Sequence, residues 1–126
     1  MPTLKKINGE IIQQSDELTF YDLVVLNKDN LQFADLRGKK LQGINLENVD
    51  LSYSYLQHAN LDRSNLKNSN LHGCKLISAS LDYADLSNSD LSNSDLSFSS
   101  MRFTKIKNVN FDEADREHAI YIACKD

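Results

Sequence analysis

The chain has 126 residues and a formal net charge of −4, a length that fits one domain with a modest conventional core. With 14 Lys and Arg against 18 Asp and Glu, it lacks the clustered basic footprint of a direct nucleic-acid binder. No run approaches the roughly 18 apolar residues of a membrane span.

The first six residues, Met1 to Lys6, contain no apolar stretch of a secretory signal. Cys74 and Cys124 lie too far apart in sequence to read as a disulfide framework. A cytoplasmic location with reduced thiols is expected.

Residues 1–27 read as a hairpin followed by a helix. Leu4 to Ile7 and Glu10 to Gln13 flank Asn8-Gly9, a pair able to supply the two positive φ values of a type I′ turn. Ser15 is the expected N-cap of the helix, with Asp16 and Glu17 at its positive end. Leu18, Tyr21, Val24 and Val25 have helical spacing, and Asn27 is placed to close the helix in the left-handed region.

From Leu31 a large apolar residue recurs at every fifth position: leucines without a miss to Leu96, then Met101, Ile106 and Phe111. In an α-helix five residues rotate about 500°, which scatters such a seam around the barrel. In a strand, an odd step alternates faces. A period of five is consistent only with a chain that turns a corner once per pentad.

The residue two before each seam residue is small or β-branched from Ala34 to Val109, Lys39 excepted, and Cys74 is one of this set. It shares the interior with the seam, so a narrow tube fills without voids. The expected core is therefore Leu36, Leu46, Leu51, Leu56, Leu61, Leu66, Leu71, Leu76, Leu81, Leu86, Leu91, Leu96, Met101, Ile106 and Phe111, with Cys74 beside them.

The position before the seam favours Asp or Asn. The position two after it collects Gly38, Gly43 and Gly73 with Asn48, Asn68, Asn88, Asn93 and Asn108, residues that tolerate positive φ. Asn48, Asn68, Asn88 and Asn108 are spaced by twenty residues, which suggests four sides per coil and a stacked amide ladder.

Pentads such as Ala34-Asp35-Leu36, Ala59-Asn60-Leu61, Ser64-Asn65-Leu66, Ala84-Asp85-Leu86 and Ser89-Asp90-Leu91 resemble the pentapeptide-repeat family. The N-terminal hairpin and helix resemble the cap of small bacterial or phage members. The resemblance implies an all-β, right-handed quadrilateral β-helix of about four coils over 28–115, capped by 1–27 and by a short C-terminal segment, 116–126. Family members with a known role are non-enzymatic, and the best understood protect bacterial DNA gyrase by resembling duplex DNA. Asp29 and Lys39, at interior positions, make the first coil the irregular one.

Residues that carry chemistry give little. His72 falls outside and Cys74 inside the tube, so they share no metal, and His58 and His118 have no partner spacing. There is no Gly-x-Ser-x-Gly elbow and no phosphate-binding loop, so no catalytic, cofactor or metal site is expected.

Asp82, Asp85, Asp90 and Asp95 form the most acidic stretch, yet the last three fall on successive sides of the square. Outward aromatics are the anomaly. Phe33 with Tyr53, and Tyr83 with Phe103, are each twenty apart, and Phe98 neighbours Phe103. Tyr83, Phe98 and Phe103 are the candidate interaction surface.

From Asp112 onward a short helix begun by Asp112 and Asp115 is expected to cover the last coil. The alternative is an end-to-end homodimer, an arrangement longer members of the family show. The expected function is a non-catalytic interaction or scaffold protein for a protein partner. A DNA-mimicking modulator of gyrase or topoisomerase is the alternative, and it requires one continuous acidic side.

Overall fold

The computed structural model describes residues 1–126. Strand β1 (Thr3–Lys5) pairs antiparallel with β2 (Ile11–Gln14), Leu4 opposite Gln13. The turn differs from the type I′ expectation, because Gly9 has a positive φ (92°) and Asn8 does not. Gly9 N–H donates to the Lys6 carbonyl at 3.0 Å and Glu10 N–H to Asn8 Oδ1 at 2.9 Å. A three-residue turn closed by a left-handed glycine results.

Helix α1 (Phe20–Leu26) starts four residues later than expected. Thr19 is the N-cap: Asp22 N–H donates to Thr19 Oγ1 and Thr19 N–H to Asp22 Oδ2, both at 3.1 Å, a capping box. Ser15 closes a turn instead, accepting from Glu17 N–H and Leu18 N–H. Asn27 caps the other end without a left-handed backbone (φ −119°). Its amide nitrogen donates to the Leu23 carbonyl at 2.8 Å, a side-chain cap that removes the need for one.

The remainder is the right-handed quadrilateral β-helix, with parallel bridges that join each residue before the seam to its equivalent twenty residues on, Asp35 to Tyr55 through Lys105 to Lys125. We number the sides by their seam residues: side 1 carries Leu31, Leu51, Leu71, Leu91 and Phe111, and sides 2, 3 and 4 begin at Leu36, Leu41 and Leu46.

The pentad around Leu56 shows the bonding. Tyr55 N–H donates to Ala34 in the coil before, while Leu56 N–H and His58 N–H donate to Lys75 and Ile77 in the coil after. Ala59 N–H closes the turn on Leu56 at 3.0 Å. One N–H per pentad, that of the residue after the seam, is left over. The Asp or Asn before the seam takes it: Ser52 N–H donates to Asp50, Lys67 N–H to Asn65 and Ser97 N–H to Asp95. This is the Asx-turn, and it is the physical reason for the Asx preference.

The seam is fully buried from Leu31 to Met101, and Cys74 lies inside with it. Leu4, Leu23 and Val24 extend the same core above Leu31. Ile7 N–H donates to Phe33 O and Asp35 N–H to Lys5 O, so the hairpin covers part of the first coil's edge. Lys39, the irregular interior residue, leaves the tube with its ammonium 4.3 Å from the centre of the Phe20 ring.

The C-terminal segment departs from expectation. Residues 112–126 form no helix and no cap; they continue the solenoid into a fifth coil, with Asp115 bridged to Asp95, Ile120 to Ser100 and Lys125 to Lys105. Small residues two before the seam persist there as Ala114, Ala119 and Cys124, and Asp115 repeats the Asx-turn on Glu117 N–H. The local requirements of a pentad are thus met although leucine is gone. Ile106 and Phe111, expected in the core, are only partly covered: beneath Ile106 lie only Lys125 and Asp126, and Phe111 has no coil beneath it. No helix is long and apolar enough to cross a membrane.

The inner serines differ in their bonding. Ser54 Oγ donates to Leu31 O at 2.7 Å and accepts from Ala34 N–H at 3.1 Å. Ser99 Oγ is buried without a partner, and its stacked neighbours are Ala79 and Ala119. Ser54→Ala is expected to cost about 1 kcal/mol and Ser99→Ala to be neutral or stabilising. Urea unfolding of the two variants decides it; equal losses contradict this account.

Candidate interaction surface

Every fifth residue from Phe33 to Ala123 has a positive φ, between 55° and 71°. These are the corners, and the side chains on them line up in four columns of one residue per coil. Beneath Phe33 lies Tyr53, with ring centres 5.2 Å apart and planes 13° off parallel. Tyr53 in turn lies over Gly73, where an added Cβ would sit 2.7 Å from the ring, and His72 meets it edge-on at 5.3 Å. Tyr83 stacks on Phe103 at 5.0 Å and 11°, with the Arg63 guanidinium 4.6 Å above Tyr83. Phe98 stacks on His118 at 4.9 Å, a pairing that becomes visible in sequence only once the fifth coil is recognised. Of the expected asparagine ladder one link forms, Asn108 Nδ2 donating to Asn88 Oδ1 at 3.1 Å.

The polar clusters tie coil to coil. Asp62 and Asp82 stack on side 3, where serines replace the usual Asx before the seam. Asp62 Oδ1 accepts from Ser80 Oγ and from Asp82 N–H, and Asp82 Oδ1 accepts from Ser100 Oγ and Arg102 N–H. Each aspartate thus does the Asx-turn's work for the coil below. Burial pushes the Asp82 carboxyl up, but the bonds from Ser100 and Arg102 outweigh it and hold it below the ordinary carboxylate range.

On side 1, Ser92 Oγ donates to Asp90 Oδ1 at 2.6 Å, which leaves its oxygen to accept from His72 Nδ1 at 2.7 Å. Cys74 is separated from this group inside the tube; its Sγ donates to Leu51 O at 2.9 Å, and burial pushes its thiol up to about 12. No cluster of His, Cys, Asp or Glu is arranged to hold a metal ion.

One surface hollow, of about 310 Å³, lies between the hairpin tip and Phe33, lined by Lys6, Ile7, Asn8, Glu10 and Phe33. Lys6 Nζ is committed to the Asn30 and Gln32 carbonyls and Asn8 Oδ1 to Glu10 N–H, so the hollow offers no converging set of free polar groups.

Charge and apolar surface are sorted by side. Side 1 holds Asp29, Asp50, Asp90, Asp112 and Glu113 and neither Lys nor Arg. Side 4 carries Lys105, Lys107 and Lys125 in its last two coils, with Asp126 beside Lys125. Side 3 ends in apolar surface. Tyr83 and Phe103 are 51% and 43% exposed, Phe98 at the corner between sides 2 and 3 is 61% exposed, and in the coil below Phe103 lie Ile120 at 44% and Ile122 at 56%. The two isoleucines take positions that are polar in every coil above, Ser100 and Arg102 being the nearest. They extend the aromatic set that the sequence singled out, and carrying the five-residue phase into the tail is the signal that finds them.

Two glycines test the corner geometry. Gly38 and Gly73 share a φ of 67°, but only Gly73 faces an aromatic ring. Gly38→Ala is expected to cost about 1 kcal/mol and Gly73→Ala at least twice that, with the excess removed when Tyr53→Ala is added. Chemical denaturation of the four proteins measures it; equal costs at the two glycines refute the Tyr53 contact.

The family model for pentapeptide repeats (8 copies) matches residues 30–68, 69–102 and 79–115. No curated protein matches the chain. Among solved structures, Rfr23, a pentapeptide repeat protein from the cyanobacterium Cyanothece 51142, is 29% identical with a TM-score of 0.71, over 72% of this chain and 63% of its own. A pentapeptide repeat protein of the Arabidopsis thaliana thylakoid lumen is 23% identical with a TM-score of 0.65, over 68% of this chain and 59% of its own. The chain therefore spans about three fifths of the length of these relatives. With the repeat matched over more than half the chain and the four-sided coil in place, the chain belongs to the pentapeptide-repeat family.

Proposed function

We propose that the protein is a non-catalytic interaction module that binds a protein partner through the lower part of side 3. The observation that carries this reading is the reversal of polarity at Ile120 and Ile122. They add to Phe98, Phe103 and Tyr83 at positions that Lys, Asn, Gln, Ser, Asp and Arg hold in the coils above on side 3. A tube filled with leucine leaves no interior site for a substrate, and the side-chain networks are spent on joining coils. Phe98→Ser with Ile122→Ser leaves the fold intact, since Ser78 already occupies the Phe98 column at the same positive φ. Affinity capture from the native host's lysate is expected to recover a partner with the parent chain and to lose it with this variant. A partner retained by both moves the binding surface elsewhere.

Side 1 favours a second reading, a DNA-mimicking modulator of a topoisomerase, because four of its five coils carry an acid and it holds neither Lys nor Arg. A gyrase supercoiling assay reads this directly. Inhibition or protection at micromolar protein, lost when Asp112 and Glu113 are changed to Asn and Gln, supports it, and no effect rules it out.

A further inference from the structure

We propose that Arg63 is the polar anchor of the side 3 surface and that its partner is an acidic and apolar segment of a protein. The segment's Asp or Glu carboxylate sits on the Arg63 guanidinium, and its apolar side chain lies against Tyr83 and Phe103. This rests on the reading that the lower part of side 3 binds a protein, and names the chemistry of that protein.

Arg63 is a cation that the chain does not use for itself. Arg37 and Arg102 are spent on carboxylates of their own columns, Asp35 at 2.8 Å and Asp82 at 2.9 Å, and Lys67 faces Glu47. Arg63 is exposed and joins no ion pair. The acids beside it are already occupied. Asp62 accepts from Ser80 and from the Asp82 N–H, and Asp82 accepts from Ser100 and Arg102. The Arg63 guanidinium lies instead over the Tyr83 ring, 4.6 Å from its centre.

The same stack holds the guanidinium in place. Tyr83 rests on Phe103 with ring centres 5.0 Å apart and planes 11° off parallel, so Arg63, Tyr83 and Phe103 form one stack over three coils of a single corner column. The column begins at Gly43, where an added Cβ would meet nothing within 4 Å, so no side chain covers Arg63 from above. A guanidinium laid on a ring keeps the N–H donors at its edge open, in the fork that matches a carboxylate. Its side chain has also given up part of its freedom before any partner arrives, which lowers the cost of binding. The coil spacing of about 4.8 Å puts Phe103 roughly 10 Å below Arg63, within reach of one short segment. Arg beside Tyr is the pairing in which binding energy concentrates at interfaces.

The charge around the rod selects an acidic segment. Side 3 carries Lys39, Lys40, Arg63 and Arg102 against Asp62 and Asp82, while side 1 opposite holds acids and neither Lys nor Arg. A segment bearing carboxylates is drawn to side 3 and turned away from side 1. Nucleic acid fits the same stack poorly. Asp62 and Asp82 lie in the column next to Arg63 and Tyr83, and a continuous phosphate chain along the corner would run beside both. A single carboxylate on Arg63 avoids them.

A phage library of random dodecapeptides panned against the immobilised parent tests the assignment, with fluorescence anisotropy of the selected peptides as the readout. Enrichment of Asp or Glu within about four residues of Leu, Ile, Phe or Trp is expected, the separation that puts two side chains on one face of a strand or helix. Arg63→Glu is expected to weaken the acidic peptide at least about tenfold. It is also expected to bind the same peptide with Lys in place of the acid, which the parent does not. Glu113 already holds a corner at a φ of 58°, so this variant keeps the fold. A parent that enriches no peptide, or only peptides without an acid beside the apolar residue, overturns the proposal. So does an acidic peptide that Arg63→Glu holds as tightly as the parent, or a fluorescein-labelled DNA duplex that the parent binds through Arg63. If the peptides depend on Phe98 and Ile122 but not on Arg63, the acidic partner is ruled out and the side 3 surface stands.

Discussion

The rod depends on one constraint, a residue held in the left-handed region at every fifth position. For an L-residue with a Cβ this conformation costs about 1–2 kcal/mol, and most of the corners from Phe33 to Ala123 are not glycine. The corner residues are Gly, Asn, Phe, Tyr, His, Arg, Ser, Glu and Ala, never Val, Ile or Thr, whose branching at Cβ makes the conformation worst. What offsets the cost is non-local. Each pentad inside the rod is bonded to the coils twenty residues before and after it, and the Asx side chain satisfies the one N–H that the ladder leaves out. The repeat is therefore stable only in the company of its neighbours, as expected of a solenoid.

That dependence explains which parts of the fold were legible. The leucine seam and its small partner are contacts within one pentad or between adjacent ones, so spacing alone reveals them, and the twenty-residue spacing of the asparagines betrays the coil. The same asparagines mislead about the ladder: corner side chains project into water, and only Asn88 and Asn108 link. Ser15-Asp16-Glu17 imitates an N-terminus in sequence, while the helix starts where Thr19 and Asp22 satisfy each other reciprocally. The tail hides its coil for an opposite reason. Arg116 and Tyr121 break the apolar seam, so hydrophobic period points away from a coil, yet Ala114, Ala119 and Asp115 still keep the phase. In this fold the small interior residue and the Asx residue report the coil more faithfully at an end than the large one does.

The candidate surface was half legible. Phe98, Phe103 and Tyr83 stand out as aromatics at corners, whereas Ile120 and Ile122 look like helix core until the fifth coil is in place. Once it is, their exposure contrasts with the polar flanks of every side 3 seam residue above.

The two ends then follow from one physical problem solved twice. A β-helix must do something with the main-chain groups of its terminal coils. At the start the chain spends a hairpin and a helix on covering them, and Lys39 is diverted outward to Phe20 where a small residue would sit elsewhere. At the other end Arg116 takes a seam position filled by leucine in the four coils above. Its charge is kept at the opening by the Phe111 and Tyr121 rings, because burial beneath a further coil would strand it unpaired. The coil after Arg116 thus keeps its main-chain ladder to the coil above, through Ile120 to Ser100 and Lys125 to Lys105, while the leucine seam has given way.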